Sequence, residues 1–231
     1  MVEKKNVLES TALFTGIRPE LIPGLLRCIG AREVKVPKGG RIIEEGSPVV
    51  EFGILLSGSG QSVKTDAEGR VILITLLSPG SEIGVLLCAC PDHRSPVTVQ
   101  ADEASTVLMV RFGGLMTRCA ENCPQHERLV QNYVGIVARK GLILHERIDC
   151  LLRPTMREKI MAYLNRVSCE QGGSSIRLPL DRSAMAEYLN VDRSALSREL
   201  SSMKRDGLID YYKSHFEIKR GDHNGRNGEC I

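Results

Sequence analysis

The chain has 231 residues, a formal net charge of +3 and eight cysteines. This length is enough for two modest hydrophobic cores. No apolar run approaches the roughly 20 residues of a membrane span, and the charged residues 1–6 hold no signal-peptide core. We therefore expect a cytoplasmic protein with no membrane partner, in which the cysteines are thiols, ligands or redox groups rather than a disulfide framework.

The first half of the chain predicts a helix followed by a β-rich domain. Residues 6–29 carry a helical pattern, with Leu21 and Leu25 in phase. Short alternating segments then follow, separated by turn signals rich in glycine and proline. The predicted strands are 33–36, 41–43, 52–56, 61–65, 71–77, 97–101 and 105–110. Short strands with regular turns indicate a β-barrel or jelly-roll core.

One long helix is predicted next. Pro124 suits its first turn, and Pro154 marks its end after about Leu152. Apolar residues and one glycine recur along it at alternating intervals of four and three, namely Val130, Val134, Val137, Gly141, Leu144, Ile148 and Leu151. This heptad seam favours a parallel contact between two subunits over packing within one domain. We therefore expect a homodimer with these residues at its interface.

Two shorter helices and a hairpin are predicted near the C-terminus. Asp181 suits the N-cap of the first helix, and the second runs from about Asp192 to Lys204. The second helix has one apolar face, formed by Leu196, Leu200 and Met203. Residues 208–212 and 216–219 alternate as the strands of a wing. The pattern predicts a winged helix-turn-helix.

The opposite face of the second helix suits nucleic acid. Between Arg193 and Arg205 the sequence has four cations and one anion, Glu199. A basic helix fits the phosphate backbone and a guanine edge. The alternative is a ligand-binding β-roll protein whose winged domain contacts another protein, which fits the arginines and serines of this face less well.

The order and spacing of these features resemble bacterial transcription regulators of the CRP/FNR family over nearly the full length. The resemblance depends on the long helix and on Leu13-Phe14 with Gly16, Pro37-Lys38-Gly39-Gly40, Glu45-Gly46-Ser47, Leu56-Ser57-Gly58, Leu77-Ser78-Pro79-Gly80, Ile83-Gly84, Arg94-Ser95 and the run from Val191 to Arg198. It implies an α+β fold with an N-terminal cyclic-nucleotide-binding-like β-roll (jelly roll), a long dimerisation helix and a C-terminal winged helix-turn-helix. The expected partners are a palindromic promoter site in double-stranded DNA, a second copy of the chain and RNA polymerase.

The resemblance also implies a division of the chain. The expected parts are a sensing domain at 1–122, a dimerisation helix at 123–153, a DNA-binding domain at 154–220 and a disordered tail at 221–231. We expect a regulator and not an enzyme, because His93 is the only histidine before His126 and a catalytic metal in a β-roll usually needs two or more.

The resemblance places the base-reading positions at the start of the second helix of the helix-turn-helix. The expected DNA contacts are Arg193, Ser194, Ser197, Arg198 and, one turn on, Ser201. Arg198 suits bidentate pairing to guanine O6 and N7, and Arg193 suits phosphate. Many relatives carry a glutamate at the position of Ser194, and serine lacks that acceptor charge. We therefore do not expect the usual half-site.

The effector site departs from the cyclic-AMP receptor of the family. There a glycine-glutamate pair holds the ribose, whereas here Gly84 is followed by Val85. The phosphate-binding pair is retained as Arg94-Ser95, with a structural ion pair of Arg94 as the alternative. The long helix has no Ser or Thr for the adenine. We predict an effector site at Gly84, Val85, Arg94 and Ser95 that does not bind cyclic AMP.

The sequence leaves the signal open among a small-molecule effector, a metal, haem and thiol oxidation. Only Cys28 precedes Cys88, so an N-terminal iron-sulfur cluster is not supported. A candidate redox or soft-metal site is Cys119, Cys123 and His126, since Cys123 should cap the long helix with His126 one turn on. The alternative is a packed corner in which cysteine is a small hydrophobe and His126 a capping residue.

Overall fold

The computed structural model describes residues 2–66, 68–90, 94–117 and 124–219. The chain forms two compact units, residues 1–140 and 141–231. The boundary therefore lies inside the long helix, which contributes to both units. The predicted tail at 221–231 lies outside the described residues, and the predicted domain boundaries stay predictions.

Among the described residues, the N-terminal unit contains three short helices and the first part of the long helix, which has the predicted bounds. They are α1 Val2–Ser10, α2 Ile22–Cys28, α3 Phe112–Met116 and the first part of α4 Pro124–Leu152. The helical pattern over 6–29 is not one helix. Gly16 adopts φ +75° and Pro19 begins a short 3-10 turn, and both residue types interrupt an α-helix.

Eight strands of the N-terminal unit form two four-stranded antiparallel sheets. They are β1 Arg32–Val36, β2 Arg41–Ile43, β3 Glu51–Ser57, β4 Gly60–Thr65, β5 Val71–Leu77, β6 Glu82–Ile83, β7 Thr98–Ala101 and β8 Ser105–Arg111. The sheet orders are β1-β8-β3-β6 and β2-β7-β4-β5. All predicted strands are confirmed within two residues at each end. The additional strand, β6, has two residues and so carries no alternating pattern.

One apolar core joins both sheets to the first half of α4. Phe52 of β3, Val99 of β7 and Tyr133 of α4 are buried in the same cluster. The ring of Tyr133 lies 5.1 Å from Phe52 and 5.7 Å from Phe112. Burial of such aromatic pairs fixes the rotation of α4 about its axis in this unit. Val134, the next residue and about 100° further round the helix, is exposed.

The C-terminal unit combines helices with a small sheet. Its elements are the rest of α4, α5 Met156–Gln171, α6 Arg182–Tyr188, α7 Arg193–Arg205, β9 Ser175–Arg177, β10 Ile209–Tyr212 and β11 His215–Ile218. The sheet order is β10-β11-β9. The two predicted helices and the hairpin are confirmed. Neither α5 nor β9 was predicted, although Thr155 and Glu158 form a capping box that marks the start of α5.

No helix among the described residues is long and apolar enough to cross a membrane.

Candidate DNA-binding surface and effector site

The helix α7 is oriented by its apolar face. Leu196, Leu200 and Met203 are fully buried in the core of the C-terminal unit. The Asp192 side chain accepts a hydrogen bond of 2.8 Å from the N–H of Ala195 and so fixes the first turn. Hydrogen bonds from Ser194 and Ala195 hold the pKa of Asp192 below its usual value. The predicted N-cap and the predicted buried face are both confirmed.

An arginine of α5 forms an ion pair with the single anion of α7. The Arg157 guanidinium lies 2.7 Å from a carboxylate oxygen of Glu199 and 2.7 Å from one of Asp206. Hydrogen bonds to Glu199 and to Asp206 raise the pKa of Arg157. Glu199 is the sole acidic residue of α7. Glu199 is therefore ion-paired within the C-terminal unit, and α7 itself has four cationic residues and one anionic residue.

The five predicted DNA contacts all lie on the exposed face of α7. They are Arg193, Ser194, Ser197, Arg198 and Ser201. Within the described part of the chain, the side chains of Arg193 and Arg198 make no hydrogen bond or ion pair. Both guanidinium groups are thus available to an external acceptor.

The serine hydroxyls of the same face already donate their protons to hydrogen bonds within the chain. The Ser197 hydroxyl donates to the carbonyl of Arg193, and the Ser201 hydroxyl donates to that of Ser197, each at 3.0 Å. The Ser194 hydroxyl donates to the Asp192 carboxylate. A hydroxyl has two acceptor lone pairs besides its single proton. The arginines therefore present donors to a partner, and the serines present acceptors.

The wing closes one end of this face. A shallow depression is lined by Ser197, Arg198, Ser201 and Arg205. The Tyr211 hydroxyl lies 3.4 Å from the Ser201 hydroxyl, and its ring stacks on Phe216 at 5.1 Å. The sequence did not single out Tyr211 as part of this surface, although its place on the first wing strand was predicted.

The first predicted effector residues, Gly84 and Val85, serve the packing of the β-roll. Gly84 adopts φ +73°, and a Cβ there would lie 3.0 Å from Ile43. The Val85 side chain is buried in the core. Its carbonyl accepts a 2.6 Å hydrogen bond from the Tyr133 hydroxyl of α4. This bond, which the sequence did not indicate, joins the loop after β6 to the long helix.

Arg94 and Ser95 are also engaged within the chain. Arg94 donates from Nη1 to the carbonyl of Gly46 at 2.7 Å, so its partner is neither an anion nor a carboxylate. Ser95 is buried, and its hydroxyl donates to the Val97 carbonyl at 2.6 Å. One of the five guanidinium N–H donors of Arg94 is committed by this contact. That these residues bind an effector stays a prediction.

The corner predicted around His126 has a different observed partner. His126 is 6% exposed in the first turn of α4. Its Nδ1 lies 3.5 Å from Cys28 Sγ, and its Nε2 lies 2.7 Å from the carbonyl oxygen of Leu115. Cys119 and Cys123 lie outside the described residues. Among the residues that are described, no group of three or more His, Cys, Asp or Glu side chains could hold a metal ion.

The cysteines of the described ranges differ in environment. Burial raises the pKa of the Cys88 and Cys150 thiols, whereas Cys28 and Cys90 are exposed. Cys169 is disulfide-bonded, whereas the sequence predicted thiols, ligands or redox groups rather than a disulfide framework. The remaining four provide a set of thiols with contrasting exposure and partners.

The predicted seam on α4 has a packed part and an exposed part. Val130 and Val137 pack partly against the core of the β-roll. In contrast, Val134, Leu144 and Ile148 are 57%, 51% and 54% exposed. Gly141 has no atom within 4 Å of the position its Cβ would take, and Leu151 is half-buried. The strand β5 exposes a further apolar row at residues 71–74 and 76.

Two family models match the chain. The cyclic nucleotide-binding domain matches residues 33–122, and the Crp-like helix-turn-helix domain matches residues 158–222. Together they cover more than half of the chain, and each falls on the part for which the sequence predicted that fold.

Known regulators are similar to this chain over most of its length. A CRP-like cAMP-activated global transcriptional regulator of Mycobacterium tuberculosis is 22% identical over 88% of this chain and 90% of its own length. The transcriptional activator protein FnrL of Cereibacter sphaeroides is 25% identical over 74% of this chain and 69% of its own. The solved structure of the c-di-GMP-responsive global regulator CLP of Xanthomonas campestris aligns with a TM-score of 0.57 at 14% identity, covering 88% of this chain and all of that one. The chain therefore belongs to the CRP/FNR family of transcriptional regulators, with a cyclic-nucleotide-binding-like N-terminal domain and a C-terminal helix-turn-helix domain.

Proposed function

We propose that the protein is a cytoplasmic homodimer that binds a palindromic promoter site, with α7 of each subunit in the major groove. The observation that carries this proposal is the exposed face of α7. The side chains of Arg193 and Arg198 make no hydrogen bond or ion pair within the described residues, while Glu199 is ion-paired to Arg157. The face thus offers two guanidinium groups to a partner, and the one acidic residue of α7, Glu199, is already ion-paired.

The individual contacts follow from donor and acceptor chemistry. Arg198 pairs with O6 and N7 of a guanine, and Arg193 holds a phosphate nearer the start of the helix. Because the protons of Ser194 and Ser197 are already donated within the chain, these hydroxyls accept from a cytosine or adenine amine. Ser194 thereby supplies a neutral acceptor where many relatives carry a glutamate.

Dimerisation uses the exposed apolar residues of α4. Val134, Leu144 and Ile148 leave more than half of each side chain uncovered, and burying such surface contributes about 25 cal/mol per Å². The exposed row of β5 adds apolar area in the N-terminal unit. A parallel pair of α4 helices would set two copies of α7 about 34 Å apart, one turn of DNA.

The effector acts through the loop after β6. Names of relatives include a cAMP-activated and a c-di-GMP-responsive regulator, so family membership does not select a ligand. We propose a small anionic effector other than cyclic AMP, held near Arg94. Its binding changes the Val85–Tyr133 hydrogen bond and hence shifts the population of α4 arrangements in the dimer. Promoter-bound dimer then contacts RNA polymerase.

Selection from random double-stranded DNA tests the proposal. The purified full-length protein should enrich a palindrome with half-site centres about 10 base pairs apart. Arg198→Ala should relax the selected sequence at one position of each half-site. Failure of the unchanged protein to enrich any palindrome contradicts the proposal and favours the alternative, in which the winged domain contacts a protein.

A further inference from the structure

A thiol and an imidazole meet where α2 ends and α4 begins. Cys28 Sγ, on the last residue of α2, lies 3.5 Å from His126 Nδ1. On the other side of the ring, His126 Nε2 lies 2.7 Å from the Leu115 carbonyl oxygen. A carbonyl oxygen only accepts hydrogen bonds, so Nε2 carries a proton. Nδ1 of the neutral ring is therefore the atom that accepts a proton from Cys28.

The ring is fixed and the thiol is accessible. His126 is 6% exposed and lies in the first turn of α4, and Leu115 is fully buried in α3. Cys28 is exposed. A nucleophile, a base within hydrogen-bond reach and a third group that orients the base form the arrangement by which proteins activate thiols.

The other described thiols lack one of these features. Cys90 is exposed, but its thiol donates to the Leu86 carbonyl at 3.2 Å, and a carbonyl cannot take the proton. Cys88 and Cys150 are buried, which excludes reagents and disfavours the thiolate. Within the described ranges, Cys28 alone combines exposure with a neighbouring base.

We propose that Cys28 is a site of oxidation by hydroperoxides, with His126 as its base. His126 Nδ1 takes the thiol proton, and the thiolate sulfur attacks one peroxide oxygen. A sulfur–oxygen bond forms while the oxygen–oxygen bond breaks, and the leaving oxygen takes the proton back from His126 as water or an alcohol. The sulfur loses two electrons, the peroxide gains two, and the product is a sulfenic acid at Cys28.

Oxidation changes a contact at the start of the dimerisation helix. The sulfenic acid adds an oxygen at Cys28 and removes the thiol that His126 contacts, so the first turn of α4 must adjust. An effect on promoter binding rests on the proposed function. The chemistry at Cys28 does not, and it can be measured without DNA.

The test is a time course on the reduced full-length protein with hydrogen peroxide and a dimedone-type sulfenic-acid trap, followed by peptide mass spectrometry. A positioned base contributes about a hundredfold or more to proton transfer steps, and we expect trapping at Cys28 at least about tenfold faster than at Cys90. His126→Asn should lower the rate at Cys28 to that of Cys90. His145→Asn, an exposed histidine further along α4, should leave it unchanged.

Because His126 is buried, the folding of its variant is checked by circular dichroism, and the comparison of Cys28 with Cys90 in the unchanged protein stands without any variant. Trapping at Cys28 that is no faster than at Cys90 would overturn the proposal. So would an unchanged rate in a folded His126→Asn protein.

Discussion

Two arginines that the sequence assigns to ligands, Arg198 and Arg94, differ in what they contact. The guanidinium of Arg198 on α7 has no hydrogen-bond or ion-pair partner among the described residues. That of Arg94 donates to the Gly46 carbonyl, and its neighbour Ser95 is buried and hydrogen-bonded. The exposed face of α7 therefore presents uncommitted donors, whereas the polar groups of Arg94 and Ser95 are hydrogen-bonded within the chain.

The difference bears on how each region works. A face whose donors are already exposed binds without rearrangement, so its affinity depends on charge and fit. A loop whose polar groups are paired must exchange these bonds for bonds to the ligand. On the proposed function, binding at the loop would be coupled to a conformational change, and the hydrogen bond from the Tyr133 hydroxyl to the Val85 carbonyl would carry that change to α4.

The largest effect on stability is expected on the buried side of α7. Leu200→Ala removes a fully buried side chain from the apolar side of α7 and should lower the free energy of unfolding by about 2–5 kcal/mol. Ser201→Ala, on the exposed side of the next position, should change it by less than about 0.5 kcal/mol. Urea titration of both full-length variants measures the difference. Equal losses of unfolding free energy in the two variants would contradict the assignment of Leu200 to a buried face and Ser201 to an exposed face.

The next largest effect on stability is expected at the hydrogen bond from the Tyr133 hydroxyl to the Val85 carbonyl. Tyr133→Phe keeps the ring between Phe52 and Phe112 but removes the 2.6 Å donor of the buried Val85 carbonyl, which then keeps only the 3.6 Å contact from Cys88 Sγ. Loss of the shorter bond should lower the free energy of unfolding by about 1–2 kcal/mol. Tyr212→Phe is the matched control, because Tyr212 is 73% exposed. Thermal unfolding of Tyr133→Phe at the temperature of the control would argue against the link.

A smaller effect is expected at the phosphate-binding end of α7. Arg193→Ala should weaken binding by about 1 kcal/mol for every DNA sequence and reduce the slope of log affinity against log salt by about 1 for each subunit. Arg18→Ala removes the same charge from an exposed site of the N-terminal unit and should leave both quantities unchanged. A loss confined to one DNA sequence would instead place Arg193 on a base edge.

The smallest effect is expected in the effector loop. Arg94→Ala removes one exposed hydrogen bond to the Gly46 carbonyl and should lower the free energy of unfolding by about 0.5–1 kcal/mol. Affinity for DNA without effector should stay the same. A loss above about 2 kcal/mol would make Arg94 a structural residue, and its assignment to an effector would then fail.

The sequence predicted regions whose pattern is periodic. The opposed faces of α7 and the alternating strands of the β-roll each repeat a local rule over many residues. Single breaking signals were weaker guides: the pattern over residues 6–29 was extended past Gly16 and Pro19, which interrupt it. The capping box of Thr155 and Glu158 was present but α5 was not predicted.

Contacts between distant residues could not be predicted from one sequence. Cys28 and His126 are 98 positions apart, and the Tyr133–Val85 bond joins residues 48 positions apart. No periodicity or spacing links such pairs, because they depend on how α2, α3 and α4 pack on the roll. The partner predicted for His126 was accordingly its sequence neighbour Cys123, which lies outside the described residues.

On the proposed function, α7 binds DNA in a sequence-specific way through Arg198. The most direct measurement is the affinity of the unchanged protein and of Arg198→Ala for the selected palindrome and for versions with each half-site base changed in turn. We expect Arg198→Ala to bind the palindrome about 1–3 kcal/mol more weakly than the unchanged protein does. Replacing the guanine that Arg198 contacts should then weaken binding by the variant almost no further. Equal losses on every DNA version would contradict the claim.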